Sequence, residues 1–247
     1  MTTAVATDAR LTEREQRWQQ KPALRQIYRH LYRRMQAACV AGPTLEIGGG
    51  SGIFKAFAPG TITTDVIPGP WLDLVADAQR LPFADASFAN LVMFDVLHHL
   101  ESPSHFFTEA TRVLKPGGRL VMVEPAITLL SWPFYHFIHE EDVDLGADPL
   151  TAREPSPGRD PFAANQAIPT LLMGKYRDRF AAAFPSLKRL RCDWLSLWAF
   201  PLSGGFKPWS AIPSVLVTPV LWIEDLLAPL IGRVAGFRMM IVFEKTA

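Results

Sequence analysis

Leu45-Glu46-Ile47-Gly48-Gly49-Gly50-Ser51-Gly52 is the stretch on which the fold turns. It begins as a short apolar run and ends as a glycine-rich turn, where backbone can approach a ligand with no side chain in the way. Such a turn is a candidate cofactor loop, although glycine turns also serve purely structural ends. A dinucleotide fingerprint counted from Gly48 and Gly50 needs glycine where Ile53 stands, and one counted from Gly49 needs it at Ser51. A phosphate loop fails because no Gly-Lys-Ser/Thr follows. A less anionic, nucleoside-type ligand fits the turn better.

Around this stretch, apolar runs at Thr44–Ile47, Thr61–Val66, Phe88–Phe94 and Arg119–Val123 alternate with helical potential at Ser51–Phe57 and Ser104–Leu114. That alternation predicts βαβ crossovers, hence an α/β fold with a mainly parallel sheet and helices on both faces. Leu187–Leu195 and Phe237–Phe243 add two further strands, with Gly236 punctuating the turn before the last. Upstream, Leu24, Ile27, Leu31 and Met35 form an apolar stripe over Pro22–Ala38, and Arg25, Arg29 and Arg33 repeat on another face, read as solvated, with an anion-binding or membrane-surface role as the alternative. Asp65 closes one predicted strand and Asp95 another, with Asp77 in the loop between them. A carboxylate at the C-terminal edge of a parallel sheet can accept hydrogen bonds from both hydroxyls of a ribose.

Composition narrows the partners. The chain has 247 residues, 49% of them hydrophobic, enough for a buried core in one domain. Its 25 basic and 24 acidic residues leave a net charge of +1, too weak a field to favour nucleic acid. Cys39 and Cys192 form neither a CxxC pair nor a disulfide framework, which suits a reducing cytoplasm. The polar start, Met1 to Arg10, does not resemble a secretory signal. The apolar stretch Ser210–Ile223 is broken by Pro213 and Pro219 and stopped by Glu224 and Asp225, short of the roughly 20 apolar residues of a spanning helix. No transmembrane segment is expected, while peripheral membrane contact through this region stays open.

Taken in order, Glu46–Gly52, Asp65, Asp77–Phe83, Asp95–Leu100 and Leu114–Leu120 resemble the motifs of class I S-adenosylmethionine-dependent methyltransferases, nearest the branch containing ubiquinone and menaquinone methyltransferases. The resemblance spans Pro43 to Glu124. It implies a Rossmann-like fold whose seven-stranded sheet has an antiparallel last strand, for which Phe237–Phe243 is the candidate. It also implies S-adenosylmethionine as cofactor and S-adenosylhomocysteine as product. By the same resemblance, Gly48, Gly50 and Gly52 would approach the methionine portion, with Glu46 orienting the loop. Asp65 would hold the ribose hydroxyls, Asp77 and the backbone of Ala78 would meet the adenine edge, and Asp95 would lie beside the cofactor. Leu81 to Phe83 are expected to pack. The helix after the glycine turn departs from the pattern, because Pro59-Gly60 leaves room for only about two turns.

The chain thus divides into an N-terminal helical or lid segment, 1–42, and a methyltransferase domain, 43–247. Within the latter, 43–124 is the cofactor-binding core and the aromatic-rich 125–247 is a substrate-side elaboration. The acceptor is expected to be a small molecule, lipophilic or aromatic in view of Trp132, Phe134, Tyr135, Trp194, Trp198 and Trp209, although such residues also build cores. A base is needed only if the acceptor carries an acidic proton, and His98, His99 and His139 are the candidates. Neighbouring residues rarely point into one pocket, so His98 and His99 are not expected to share it. His136, His139, Glu140, Glu141, Asp142 and Asp144 lack the HExxH spacing, and no metal is assigned. The same frame could serve another transfer, a cyclisation, or a non-catalytic nucleoside-binding module.

Overall fold

A computed structural model describes residues 8–154 and 156–246; most of the polar start Met1–Arg10 lies outside them. Seven strands form one sheet: β1 (Thr44–Ile47), β2 (Ile62–Asp65), β3 (Leu74–Val75), β4 (Phe88–Phe94), β5 (Leu114–Pro125), β6 (Leu187–Leu195) and β7 (Arg238–Lys245). Their order is β3-β2-β1-β4-β5-β7-β6. The pairs from β3 to β5 are parallel, and β7 runs antiparallel to both its neighbours. From β1 the chain moves outward to β2 and β3, then returns to β4 on the other side of β1. That reversal opens a crevice at the C-terminal ends of β1 and β4, where ligands bind in such sheets.

The central strands are buried on both faces, as parallel strands between helices must be. In β4, Leu91 and Met93 face one core with Phe106, Phe107, Leu172 and Phe180, from α4 (Pro103–Val113), α6 (Ile168–Met173) and α7 (Arg177–Ala183). Val92 faces the other core with Val121, Met240, Leu24, Ile27 and Leu31. This second face is covered by α2 (Pro22–Ala38), the short α3 (Ile53–Phe57), α8 (Ala199–Ser203) and α9 (Ser214–Ala235). Helix α2 has the bounds its periodicity predicts, with Arg29 and Arg33 exposed. Before it, within the segment 1–42 expected to be helical, stands α1 (Ala9–Gln20), capped by the Asp8 carboxylate accepting from the Arg10 N–H at 2.8 Å.

One strand was not foreseen and two expectations are corrected. β3 is only two residues long and both are exposed, so no apolar run announces it. β5 begins at Leu114 instead of Arg119: Leu114 pairs with Phe88 while Arg119 pairs with Asn90, and Lys115 to Gly118 bulge out between them. The apolar stretch does not stop at Glu224 and Asp225, because α9 runs unbroken for 22 residues. Pro219 and Pro229 lie on its exposed side, where a lost backbone hydrogen bond can be met by water. Glu224 is 3% exposed and turned inward, its carboxylate accepting from the backbone N–H groups of Trp198 and Ala199 at the start of α8.

Candidate active site

The β1 turn is held close to the next strand end. A Cβ on Gly48 would come within 2.2 Å of the Val96 side chain, and the residue sits at φ +71°, so glycine is required twice over. Gly50 has φ +50° with open space beside it, and its N–H donates to Asp65 Oδ2 at 2.8 Å. The other Asp65 oxygen accepts from the Ile67 N–H at 2.9 Å. Each oxygen therefore keeps a lone pair for a ligand. Burial raises the Asp65 pKa, and these backbone donors oppose the rise.

Gly48, Gly50, Asp65, Asp77, Ala78 and Asp95 all border one cavity of about 260 Å³, together with Ile67, Leu100 and Arg14. Asp77 Oδ1 accepts from the Gln79 N–H at 2.8 Å, fixing the loop at the far end. Glu46 and Gly52 are not on this wall. Glu46 stands beneath the turn, accepting from the Thr63 hydroxyl at 2.9 Å, with burial pushing its pKa up to about 7. Gly52 faces Trp71, whose indole N–H donates to the Gly50 carbonyl.

A second cavity, of about 630 Å³, adjoins the first and shares Arg14, Asp95, His99 and Phe162 with it. Its lining mixes aromatic rings, including Tyr28, Phe134, Phe200, Phe206 and Trp209, with charged side chains, including Arg10, Glu13, Arg17, Glu140 and Lys207. Both His98 and His99 border it, contrary to the expectation for adjacent residues, because the 3-10 turn Leu97–His99 sets their rings 4.2 Å apart. His139 borders it too, its Nδ1 accepting from the Glu141 N–H at 3.3 Å. His136 is directed elsewhere and stacks on Trp132 at 4.7 Å.

The two neighbouring histidines differ in charge. His98 is 2% exposed, with Nδ1 2.7 Å from Glu124 Oε2 and Nε2 3.4 Å from Glu141 Oε2. Burial opposes a charge there, but the bonds to Glu124 and then Glu141 outweigh it and hold the pKa up at about 9. Glu124 is itself fixed, its other oxygen accepting from the Val96 and Leu97 N–H groups at 2.9 and 2.8 Å. His98 is thus an imidazolium clamped between two carboxylates, unsuited to the role of free base. His99 is pushed down to about 3, by burial first and then by the charge on His98, and its buried Nδ1 has no partner among the described residues. Although His98, His99 and Glu141 offer ligand atoms within 4.8 Å of one another, the ion pairs just described already engage His98 and Glu141.

Several residues that build the site escaped the sequence reading. Arg238, 3% exposed, pairs with Asp95 and lies 4.1 Å from the Phe200 ring centre; Asp95 itself has φ +57° at the end of β4. Arg238 opens a strand whose next five residues are apolar, and that interruption was the available signal. Lys21, 7% exposed, directs its ammonium at the carbonyls of Ser203, Gly205, Lys207 and Trp209, at 2.6 to 2.8 Å. It ties down the 203–209 segment that borders the second cavity, and a lone lysine before a proline carries no sequence signal for that. Arg14 makes no ion pair among the described residues and lies 5.4 and 5.6 Å from the Phe162 and Phe206 ring centres.

Comparison with known proteins agrees with this geometry. Residues 45–122 match the methyltransferase domain family model. A 27-O-demethylrifamycin SV methyltransferase of Amycolatopsis mediterranei is 47% identical over 19% of this chain and 17% of its own length. A ubiquinone/menaquinone biosynthesis C-methyltransferase of Desulfotalea psychrophila is 34% identical over 32% of this chain and 33% of its own. These alignments span a third or less of the relatives' length. The fold of an S-adenosylmethionine-dependent methyltransferase from Thermotoga maritima, described as a possible histamine N-methyltransferase, superposes with a TM-score of 0.52 at 16% identity, covering 87% of each chain. Residues 45–122 thus match a methyltransferase domain, and the chain has the fold of an S-adenosylmethionine-dependent methyltransferase. The cofactor of such enzymes, S-adenosylmethionine, fits the donor set of the first cavity, in which a carboxylate with spare lone pairs stands at the end of β2 beside Gly48 and Gly50, which border the same cavity.

Proposed function

We propose that the protein transfers the methyl group of S-adenosylmethionine to a small aromatic or otherwise apolar acceptor in the second cavity. The observation that carries this reading is the meeting of the two cavities at Asp95 and His99. In the first, Asp65 suits the ribose hydroxyls, Asp77 and Ala78 the adenine edge, and Gly48 and Gly50 the methionine portion. Bound there, S-adenosylmethionine supplies a methyl group already activated by its sulfonium. The chain's own work is to hold the acceptor in line with that group and to exclude water. Phe162, shared by both cavities, and the rings of Phe134, Phe206 and Trp209 support that role.

A phenol or hydroxyl acceptor releases a proton as its oxygen is methylated. We assign the hydrogen bond of the acceptor's hydroxyl to the Nδ1 of His99, unpartnered among the described residues; with its pKa pushed down to about 3, this imidazole orients the hydroxyl while the proton passes to solvent, and His98 and the two glutamates fix the turn that carries it. The unpartnered Arg238 Nε–H and Gln166 Oε1 are a donor and an acceptor suited to a polar edge of the acceptor. The test is calorimetric titration with S-adenosylmethionine, S-adenosylhomocysteine and, as control, NADH, followed by an acceptor screen read by product mass. Saturable binding of the two sulfur nucleosides alone is expected. Folded protein that binds neither removes the proposal.

A further inference from the structure

Among the described residues, nothing covers the outward face of α9. Its inward side, with Val217, Leu221, Glu224, Gly232 and Ala235, is buried against β6, α2 and α8. Along the opposite side Val215, Trp222, Leu226 and Leu230 are 79%, 73%, 66% and 78% exposed. The spacing of 7, 4 and 4 residues puts them on one line down the helix. Exposure of that extent, on neighbouring side chains, exceeds the scattered apolar residues of an ordinary surface. The patch continues past the end of the helix, where the Leu130 N–H bonds the Val234 carbonyl at 3.0 Å and brings exposed Leu129 alongside.

The charges beside this stripe are mostly positive. Helix α2, which packs next to α9 on the same face of the sheet, contains four arginines and no acid, and exposes Arg29 and Arg33. Arg233 is exposed at the last turn of α9. The exposed acid of α9, Asp225, is neutralised by Arg34 at 2.7 Å and lies 3.2 Å from His30. With a chain net charge of only +1, this cationic surface is a local feature. An apolar helical stripe bordered by arginines is the pattern that seats a helix flat at a bilayer surface, apolar side chains among the acyl chains and guanidinium groups at the phosphates.

We infer that the α9–α2 face docks the protein on an anionic lipid bilayer, with α9 lying in the plane of the interface. Although α9 is long enough to span a membrane, burial of its other face on the sheet fixes it parallel to the surface. A hydrocarbon occupant suits the stripe better than a protein partner, because Val215, Leu226 and Leu230 offer no polar group to fix a register, the Trp222 indole suits the level where acyl chains meet headgroups, and the flanking arginines answer lipid phosphates. The inference does not rest on the methyl-transfer reading, since it concerns the opposite side of α9 from the core.

The experiment is flotation of the full chain with vesicles of phosphatidylcholine alone and of phosphatidylcholine with phosphatidylglycerol. Binding about tenfold tighter to the anionic vesicles is expected, weakening as salt is raised. A Leu226→Asp/Leu230→Asp variant, altered only at exposed positions and checked for an unchanged unfolding midpoint, is expected to lose binding by about tenfold or more. Quenching of tryptophan fluorescence by brominated lipid should fall in Trp222→Phe, which reports insertion of α9 itself. Absence of binding to anionic vesicles, or binding untouched by the double variant, overturns the inference. So does a solution dimer that the double variant converts to monomer, which would mean that a second copy covers this face.

Discussion

Raising the pH from about 6 to about 9 is expected to remove stability from the native protein that a His98→Gln variant lacks from the outset. His98 titrates near 6.5 when exposed and near 9 in the fold, where Glu124 and Glu141 hold its charge against the cost of burial. Because the folded value is the higher one, the contribution is complete below about pH 6.5 and disappears as the pH rises through about 9. At about 1.4 kcal/mol per pKa unit, the whole rise corresponds to about 3 kcal/mol. Both partners are almost completely buried, His98 at 2% and Glu124 at 0% exposure, so solvent screening reduces the figure little. The assay is urea unfolding of both proteins across this range. The difference between them isolates His98, since Cys39, Cys192 and the buried tyrosines titrate alike in each. Equal pH slopes would refute the imidazolium assignment and, with it, the division of labour between His98 and His99.

Three further outcomes test the site. Asp65→Ala should weaken S-adenosylmethionine binding by about tenfold or more in calorimetry, because hydrogen bonds to a charged acceptor contribute about 1.5–3 kcal/mol; unchanged affinity would remove the ribose assignment. His99→Ala should leave cofactor affinity in place and slow turnover by about tenfold with a hydroxyl acceptor, the scale of one lost orienting hydrogen bond of about 1–1.5 kcal/mol. Turnover equal to the native enzyme's would rule that role out. Lys21→Met should cost about 2–4 kcal/mol and open the 203–209 segment to proteolysis, because it leaves buried carbonyls without a donor. Protection of that segment equal to the native protein's would show that the ammonium is not what ties it down.

Sequence by itself determined what depends on local pattern. Apolar runs of strand length marked β1, β4 and β6 within the bounds the structure gives them, and three- and four-residue steps marked α2. The glycine turn and Asp65 could be read as one ligand site because parallel strands bring their C-terminal ends to a common edge, and the resemblance to class I methyltransferases added Asp77 and Asp95. Short or masked elements were not legible: β3 has two exposed residues, and α9 was hidden by prolines and acids that normally end a helix. Only the tertiary structure showed that those prolines face outward and that Glu224 turns inward to cap α8. The charge states of the histidines were likewise decided by long-range packing. Glu124 and Glu141 reach His98 from elements 26 and 43 residues further along the chain, and that arrangement makes one histidine an ion-paired support and its neighbour a neutral imidazole. No local spacing encodes such contacts, because burial and partner distance, which set those pKa values, exist only once the chain has folded.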